Sequence, residues 1–194
     1  MQREAYLCTE EDLPALVRLV KKHQYIYGVD TVATGLQIRA INFIKKILSE
    51  NSNMHVVGLR NEEGKLLCFC VMVFWESIPA WSPLFLYEDS DQLFSKRIQQ
   101  PLNFNAVMRK CIEIAESKNV YTGFLVTRFS YTWKRVSDTM LEEFPDYIIS
   151  EVEILEPHVK SKYLGFEMLL GGMNGMNEKT IAVVQFSKSK IFYN

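Results

Sequence analysis

At 194 residues the chain is long enough to bury one sizeable core and short for two, so a single domain spanning 1–194 is expected. Its 22 Lys and Arg against 23 Asp and Glu leave no basic surplus for counterion release, which argues against a nucleic-acid partner. A hydrophobic fraction of 48% argues against disorder. No run of about 18 apolar residues offers a membrane span, and Met1-Gln2-Arg3-Glu4 does not open a signal peptide, so a soluble cytoplasmic protein with no membrane partner is expected.

A short strand through Ala5-Tyr6-Leu7 comes first. Thr9-Glu10-Glu11-Asp12 reads as a capping box, and Leu13, Leu16, Val17 and Val20 follow the spacing of a buried helical stripe that Gly28 ends. A second helix begins near Val32, with Ile38, Ile41, Ile44 and Leu48 on one face, and the two helices are expected to pair. An apolar strand runs from Met54 to Leu59, and Asn61-Glu62-Glu63-Gly64 is turn chemistry that returns the chain as a hairpin. The next strand, Leu66 to Trp75, is apolar without alternation, which predicts a central strand covered on both faces. A strand through Leu84-Phe85-Leu86-Tyr87 then runs into Glu88-Asp89-Ser90-Asp91.

After Pro101 comes the clearest helix, with Phe104, Val107, Met108, Cys111, Ile112 and Ala115 on one side and Asn103 as its cap. The strand Val120 to Phe129 follows at once, so strand, helix and strand form a crossover that favours parallel pairing. Trp133, Val136, Met140, Leu141 and Phe144 make another helix, ended by Pro145, and strands at Tyr147 to Leu155 and Thr180 to Phe186 complete the sheet. Between them, 171–177 is loop by composition.

Cys8, Cys68, Cys70 and Cys111 fall inside predicted elements, where free cysteine behaves as a small buried hydrophobe, so no disulfide is expected. Cys68 and Cys70 share a strand face, but the scattered histidines at 23, 55 and 158 complete no tetrahedral set, and no metal is expected. His158 follows Glu156-Pro157 in a bend and reads as structural or solvated. No nucleophile elbow, phosphate-cradling Gly-Lys-Ser loop or His-Glu-x-x-His helix occurs, so hydrolase, NTPase and zinc-protease chemistry find no support.

The order strand, helix, helix, three strands, helix, strand, helix, two strands resembles the Gcn5-related N-acetyltransferase (GNAT) fold over nearly the whole chain. That resemblance implies an α/β (α+β) three-layer fold, a mixed central sheet flanked by helices on both faces. The opening Cys8-Thr9-Glu10-Glu11-Asp12-Leu13-Pro14-Ala15-Leu16 is similar to the first helix of many such enzymes. The central helix and the strand ending in Thr127-Arg128-Phe129 are similar to uncharacterised GNAT-like proteins of marine tailed phages, which would place the protein in a host cytoplasm.

The resemblance implies acetyl-CoA as cofactor, held where the fourth and fifth strands splay, with its pyrophosphate on backbone amides at the start of the third helix. The family keeps a glycine-rich motif there. This chain has Ser95-Lys96-Arg97-Ile98-Gln99-Gln100-Pro101-Leu102-Asn103-Phe104-Asn105 instead, with no glycine and one amide removed by Pro101. Lys96 and Arg97 would neutralise phosphate, and Gln100, Asn103 and Asn105 would donate to the cofactor.

Carried over by position, the resemblance makes Glu88 the general base, with Tyr87 beside it at the cofactor, and Tyr131 the acid that reprotonates the leaving thiolate, with Tyr147 second. The segment Lys162-Tyr163-Leu164-Gly165-Phe166-Glu167 is similar to a stretch that follows the fourth GNAT helix. Aligning on it would make Tyr121 to Phe129 the fourth strand and the 102–119 helix an insertion. Two functions remain open: an N-acyltransferase acting on a small-molecule or peptide amine, or a GNAT-fold protein without catalysis that binds a protein partner, such as a phage accessory or assembly factor. The aromatic set Phe74, Trp75, Trp81, Phe85 and Tyr87 would line a cleft, form an interaction surface or simply pack the core.

Overall fold

The computed structural model describes residues 4–22, 34–50, 53–89, 100–127, 141–155 and 181–189. β1 (Glu4–Leu7) pairs antiparallel with β2 (Met54–Arg60). Between them the capping residues start one turn of 3-10 helix at Glu10–Asp12 before α1 proper (Leu13–Lys22) begins. The Asp12 carboxylate accepts the Thr9 amide at 2.9 Å and the Tyr6 hydroxyl at 3.1 Å, and it pairs with Arg60. Arg60 in turn donates through Nε to the Tyr6 hydroxyl and lies 4.4 Å over the Tyr6 ring. A buried carboxylate is tolerable only when met in this way, so the first helix is tied to the β1–β2 edge by charge as well as by packing.

Leu16, Leu19 and Val20 are the fully buried stripe of α1. α2 (Thr34–Ser49) packs beside it and turns Ile44 and Ile47 into the core, with Ile41 and Leu48 flanking. Ile38, expected on that face, is 54% exposed. At 3.6 residues per turn it sits about 120° around the helix from Ile44, so it lies off the stripe that packing selects. Gly28, the expected end of the first helix, lies outside the described residues.

β3 (Leu66–Phe74) is buried from Leu66 to Val73, as its unbroken apolar run requires. Phe69 and Val71 pack with α1 and α2, while Cys68, Cys70 and Met72 pack on the opposite face with Val107, Met108 and Cys111. The β2–β3 turn is closed by Asn61, whose side-chain oxygen accepts the amides of Glu63 (3.1 Å) and Lys65 (2.9 Å). Gly64 takes φ 77° there, a left-handed conformation that side chains other than glycine's rarely adopt.

β4 (Ala80–Glu88) starts four residues before the expected Leu84. α3 (Gln100–Ser117) likewise starts before the expected cap: Asn103 is inside the helix and 3% exposed, while Pro101 occupies the first turn, where a missing amide costs nothing. Asn119, in the left-handed region at φ 57°, stops α3, and the Val120 amide reaches back to the Ala115 carbonyl at 2.9 Å. The chain then enters β5 (Thr122–Thr127). Helix is present again at 141–143, on the α3 side, where Glu143 pairs with Arg109 at 2.8 Å and Phe144 is buried. β6 (Tyr147–Leu155) and β7 (Ile181–Lys188) close the sheet.

The described strands form a seven-stranded sheet ordered β1-β2-β3-β4-β5-β7-β6, antiparallel except where β4 meets β5. α1 and α2 cover one face and α3 the other, a three-layer mixed fold. The residues 122–127 are the fifth strand and α3 is integral to the core, so the alternative alignment on 162–167 does not hold. None of the described helices is long and apolar enough to cross a membrane.

Candidate functional site

The parallel seam between β4 and β5 is the irregular part of the sheet. It pairs only at Ala80–Thr122 and Trp81–Gly123, at the beginning of both strands. Beyond these pairs the strands run on, to Glu88 and Thr127, without pairing with each other. The local cause lies in β4. Pro83 has no amide to donate, and the register with β3 slips from Val71–Phe85 to Met72–Pro83, leaving Leu84 as an extra, bulged residue. The result is a wedge, closed at Trp81 and Gly123 and open toward Glu88 and Thr127.

At the closed end, Trp81 is fully buried and packs edge-on against Phe186, with centroids 5.5 Å apart at 83°. Phe186 fills the space over Gly123 so closely that a Cβ there would fall 2.2 Å from the ring. Among the described residues, Trp81 Nε1 and Ser82 Oγ on β4 and Asn105 Oδ1 in the second turn of α3 are buried with no hydrogen-bond partner. Orphaned buried polar atoms cost about 1–3 kcal/mol each, so they mark places where a ligand or water belongs.

At the open end, Asp89 of the acidic run Glu88-Asp89-Ser90-Asp91 is ion-paired. Asp89 is completely buried and turns toward the α1 side, where it pairs with Lys65 at 3.1 Å and Arg18 at 3.6 Å. The Arg18 guanidinium also donates to the Leu66 carbonyl at 3.2 Å.

Of the residues singled out in the sequence, Tyr87 and Glu88 lie on the length of β4 that pairs with β3 but not with β5, opposite Phe69 and Cys68. Gln100, Asn103 and Asn105 lie in the first turns of α3, with Asn103 and Asn105 buried at 3% and 7% exposure. Lys96, Arg97, Tyr131, His158 and 162–167 lie outside the described residues. Tyr147 is at the other end: it pairs with Lys188, is buried, and donates to Glu116 at 3.0 Å. Burial first, and then Glu116, push its hydroxyl pKa up, which suits a fixed structural donor. Of the aromatic set, Trp81 is core; Phe74 is half-buried under the Lys118 ammonium, 5.3 Å from its ring.

All four cysteines are free and buried, and no group of metal-ligating side chains occurs among the described residues. Ser82, Gly123 and Phe186 were not singled out in the sequence. The one local signal for them was Pro83 inside an apolar run, a mark of bulge or edge.

No protein-family profile matches the chain, and no curated protein does. Solved structures do. A ribosomal-protein-alanine N-acetyltransferase from Escherichia coli superposes with TM-score 0.54 at 12% identity, covering 98% of this chain and 96% of its own. An N-acetyltransferase from Staphylococcus aureus gives 0.55 at 11% identity over 98% and 100%. A chimeric spermidine N-acetyltransferase from Vibrio cholerae gives 0.59 at 8% identity over 97% and 96%. Sequence likeness at that level carries the fold alone: the chain has the GNAT acetyltransferase-like fold.

Proposed function

We propose that the protein is an acyl-CoA-dependent N-acyltransferase whose cofactor lies in the wedge between β4 and β5. The observation that carries this reading is the seam itself, two parallel strands that pair at Trp81–Gly123 and then part beside a bulge. Polar backbone left unpaired there needs a partner. The surroundings suit an extended ligand with amide groups and a polyanionic end. Asn105 Oδ1 awaits a donor, and Asp89 is ion-paired on the far side.

In this reading Lys96 and Arg97 meet the pyrophosphate, Gln100, Asn103 and Asn105 hold the cofactor from the start of α3, and Tyr87 lies along it. Bound acyl-CoA supplies an activated thioester. A backbone amide at the Leu84 bulge polarises the carbonyl oxygen. With acyl-CoA bound, Glu88 would take the proton of the amine as its nitrogen bonds to the acyl carbon, and Tyr131 would give one to the sulfur as the carbon–sulfur bond breaks, so charge balances across the step. The acceptor is a small-molecule or peptide amine.

Thermal unfolding with acetyl-CoA tests the reading. A ligand at about 100 times its dissociation constant adds about 2.7 kcal/mol to stability, and Lys96→Ala with Arg97→Ala is expected to remove most of that gain. No response at millimolar acetyl-CoA rejects the enzyme. A second reading, a GNAT-fold binding protein without catalysis such as a phage accessory factor, is favoured by the glycine-free run from Lys96 to Asn105. It predicts that null response.

A further inference from the structure

We propose that the outer face of the α1–α2 layer docks an acidic polypeptide segment, a role independent of the cofactor reading above. α1 and α2 carry six cations, Arg18, Lys21, Lys22, Arg39, Lys45 and Lys46, and no Asp or Glu. Taking those six from the chain's 22 Lys and Arg leaves 16 against 23 Asp and Glu, so a chain of net charge -1 is divided into a basic layer and an acidic remainder. A charge separation of that kind steers an approaching anion to one face. Folding cancels little of it. Arg18 is held by Asp89, and Lys46 stands 3.9 Å from Glu50 with its side chain 68% exposed. Lys21, Arg39 and Lys45 are exposed and make no ion pair among the described residues.

The turn of α2 gathers these groups. Ile44 and Ile47 face the core, and at 3.6 residues per turn the opposite side presents Ile38 and Lys45 in one row, two turns apart, with Arg39 and Lys46 in the next. Ile38, 54% exposed, is thus an apolar residue flanked by cations. That combination selects among anionic partners. A phosphate backbone is met by charge and hydrogen bonding and gives Ile38 nothing to pack against. A membrane surface is met by a broad row of large apolar side chains, and among its described residues the exposed side of α2 has one. An apolar anchor within a polar rim is how protein interfaces are made. The fitting partner is a run of Asp and Glu around one aliphatic side chain.

The test is fluorescence anisotropy of the full chain with a labelled glutamate-rich peptide carrying one central leucine, beside a copy with glycine in its place. Wild type is expected to prefer the leucine peptide by about threefold or more, and to release both at about 1 M salt, where the screening length is about 3 Å. Arg39→Glu, Lys45→Glu and Lys46→Glu together should weaken binding at least about tenfold. Arg39→Gln with Lys45→Gln, expected to weaken it about threefold, serves if circular dichroism shows the triple variant unfolded. Lys45→Glu alone should also weaken binding about threefold, whereas Lys110→Glu, the same reversal on α3 across the sheet, should leave it within about twofold. Ile38→Ser should erase the preference for leucine. No binding of the leucine peptide at low salt overturns the proposal. So does unchanged binding by folded variants of the α2 face, an equal loss in Lys110→Glu, or an Ile38→Ser chain that keeps the preference. An RNA oligonucleotide or phosphatidylserine vesicles bound more tightly than the peptide, or self-association of the chain abolished by Lys45→Glu, overturns the choice of partner.

Discussion

β4 has two neighbours and treats them differently. Against β3 it is paired from Phe74–Trp81 through to Cys68–Glu88, absorbing one bulge without losing the ladder. Against β5 it pairs at Ala80 and Trp81 and nowhere else. Both seams are built from the same nine residues, so composition cannot account for the contrast. Connection and packing can. β3 and β4 are joined by a short turn and share covered faces, whereas β5 arrives after α3 and is held from its other side by β7 along Thr122–Thr127. One seam is the spine of the sheet and the other is a joint, fastened at one end by the rings of Trp81 and Phe186.

Breaking the fastening should have the largest effect. Phe186→Ala is expected to cost about 3–5 kcal/mol in urea unfolding, since it removes a fully buried ring from the point where the halves meet. Gly123→Ala should cost about 2–3 kcal/mol through overpacking against that ring, and Phe186→Leu in the same chain should recover part of the loss. If the two substitutions prove additive, the joint is not fastened where we place it.

The regular seam gives the next prediction. Asp89→Asn should cost about 1.5–3 kcal/mol, the range for hydrogen bonds to a charged group, because Lys65 and Arg18 lose the buried carboxylate that holds the end of β4. An unchanged unfolding midpoint would show that the ladder alone holds it. Thiol labelling at pH 8 should leave the native protein unmodified at all four cysteines and modify all four once it is unfolded. Cys8 is the sharpest case: burial, and then Asp12, push its thiol pKa up to about 12.

The smallest effect is expected at His55, near the ends of β2 and β3. Burial lowers its pKa, and Lys118 lowers it further. The unfolded chain therefore takes up the proton first as pH falls below the ordinary value of 6.5. Stability from this group is intact above that pH and is lost on the way down to the folded protein's own pKa. His55→Gln should flatten the fall in melting temperature between pH 6.5 and 5; an identical slope would remove His55 as the cause.

Local features of this kind were readable in the residues. The unbroken run from Leu66 announced a two-sided strand, Asn61 to Gly64 announced its turn, and the stripe from Val107 to Ala115 announced a helix in the core. The misreadings fall where one residue's local habit lost to a longer-range demand. Asn103 was read as a cap because asparagine caps helices, but Pro101 nucleates the helix one turn earlier and Asn103 is drawn inside. The strand expected from Leu84 starts at Ala80, because β4 runs through Pro83 by bulging at the next residue. The wedge itself could be inferred only by resemblance, because whether two strands whose paired residues lie 42 apart stay paired is decided by register and by Gly123 accepting a distant ring. The expected site residues divide similarly: Glu88 and Asn105 fall on described elements flanking the wedge, while Lys96, Arg97 and Tyr131 lie beyond the described residues.

The single fastening at Trp81 and Gly123 has a kinetic consequence. Amides of β3 sit between two complete ladders and should exchange with solvent deuterium only through global unfolding, whereas those on the β4-facing side of β5 beyond Gly123 should exchange through small local openings. A molecule lodged between the strands would add the missing rungs, and slowed exchange confined to β5 and the far half of β4 would report its presence without any assay of chemistry.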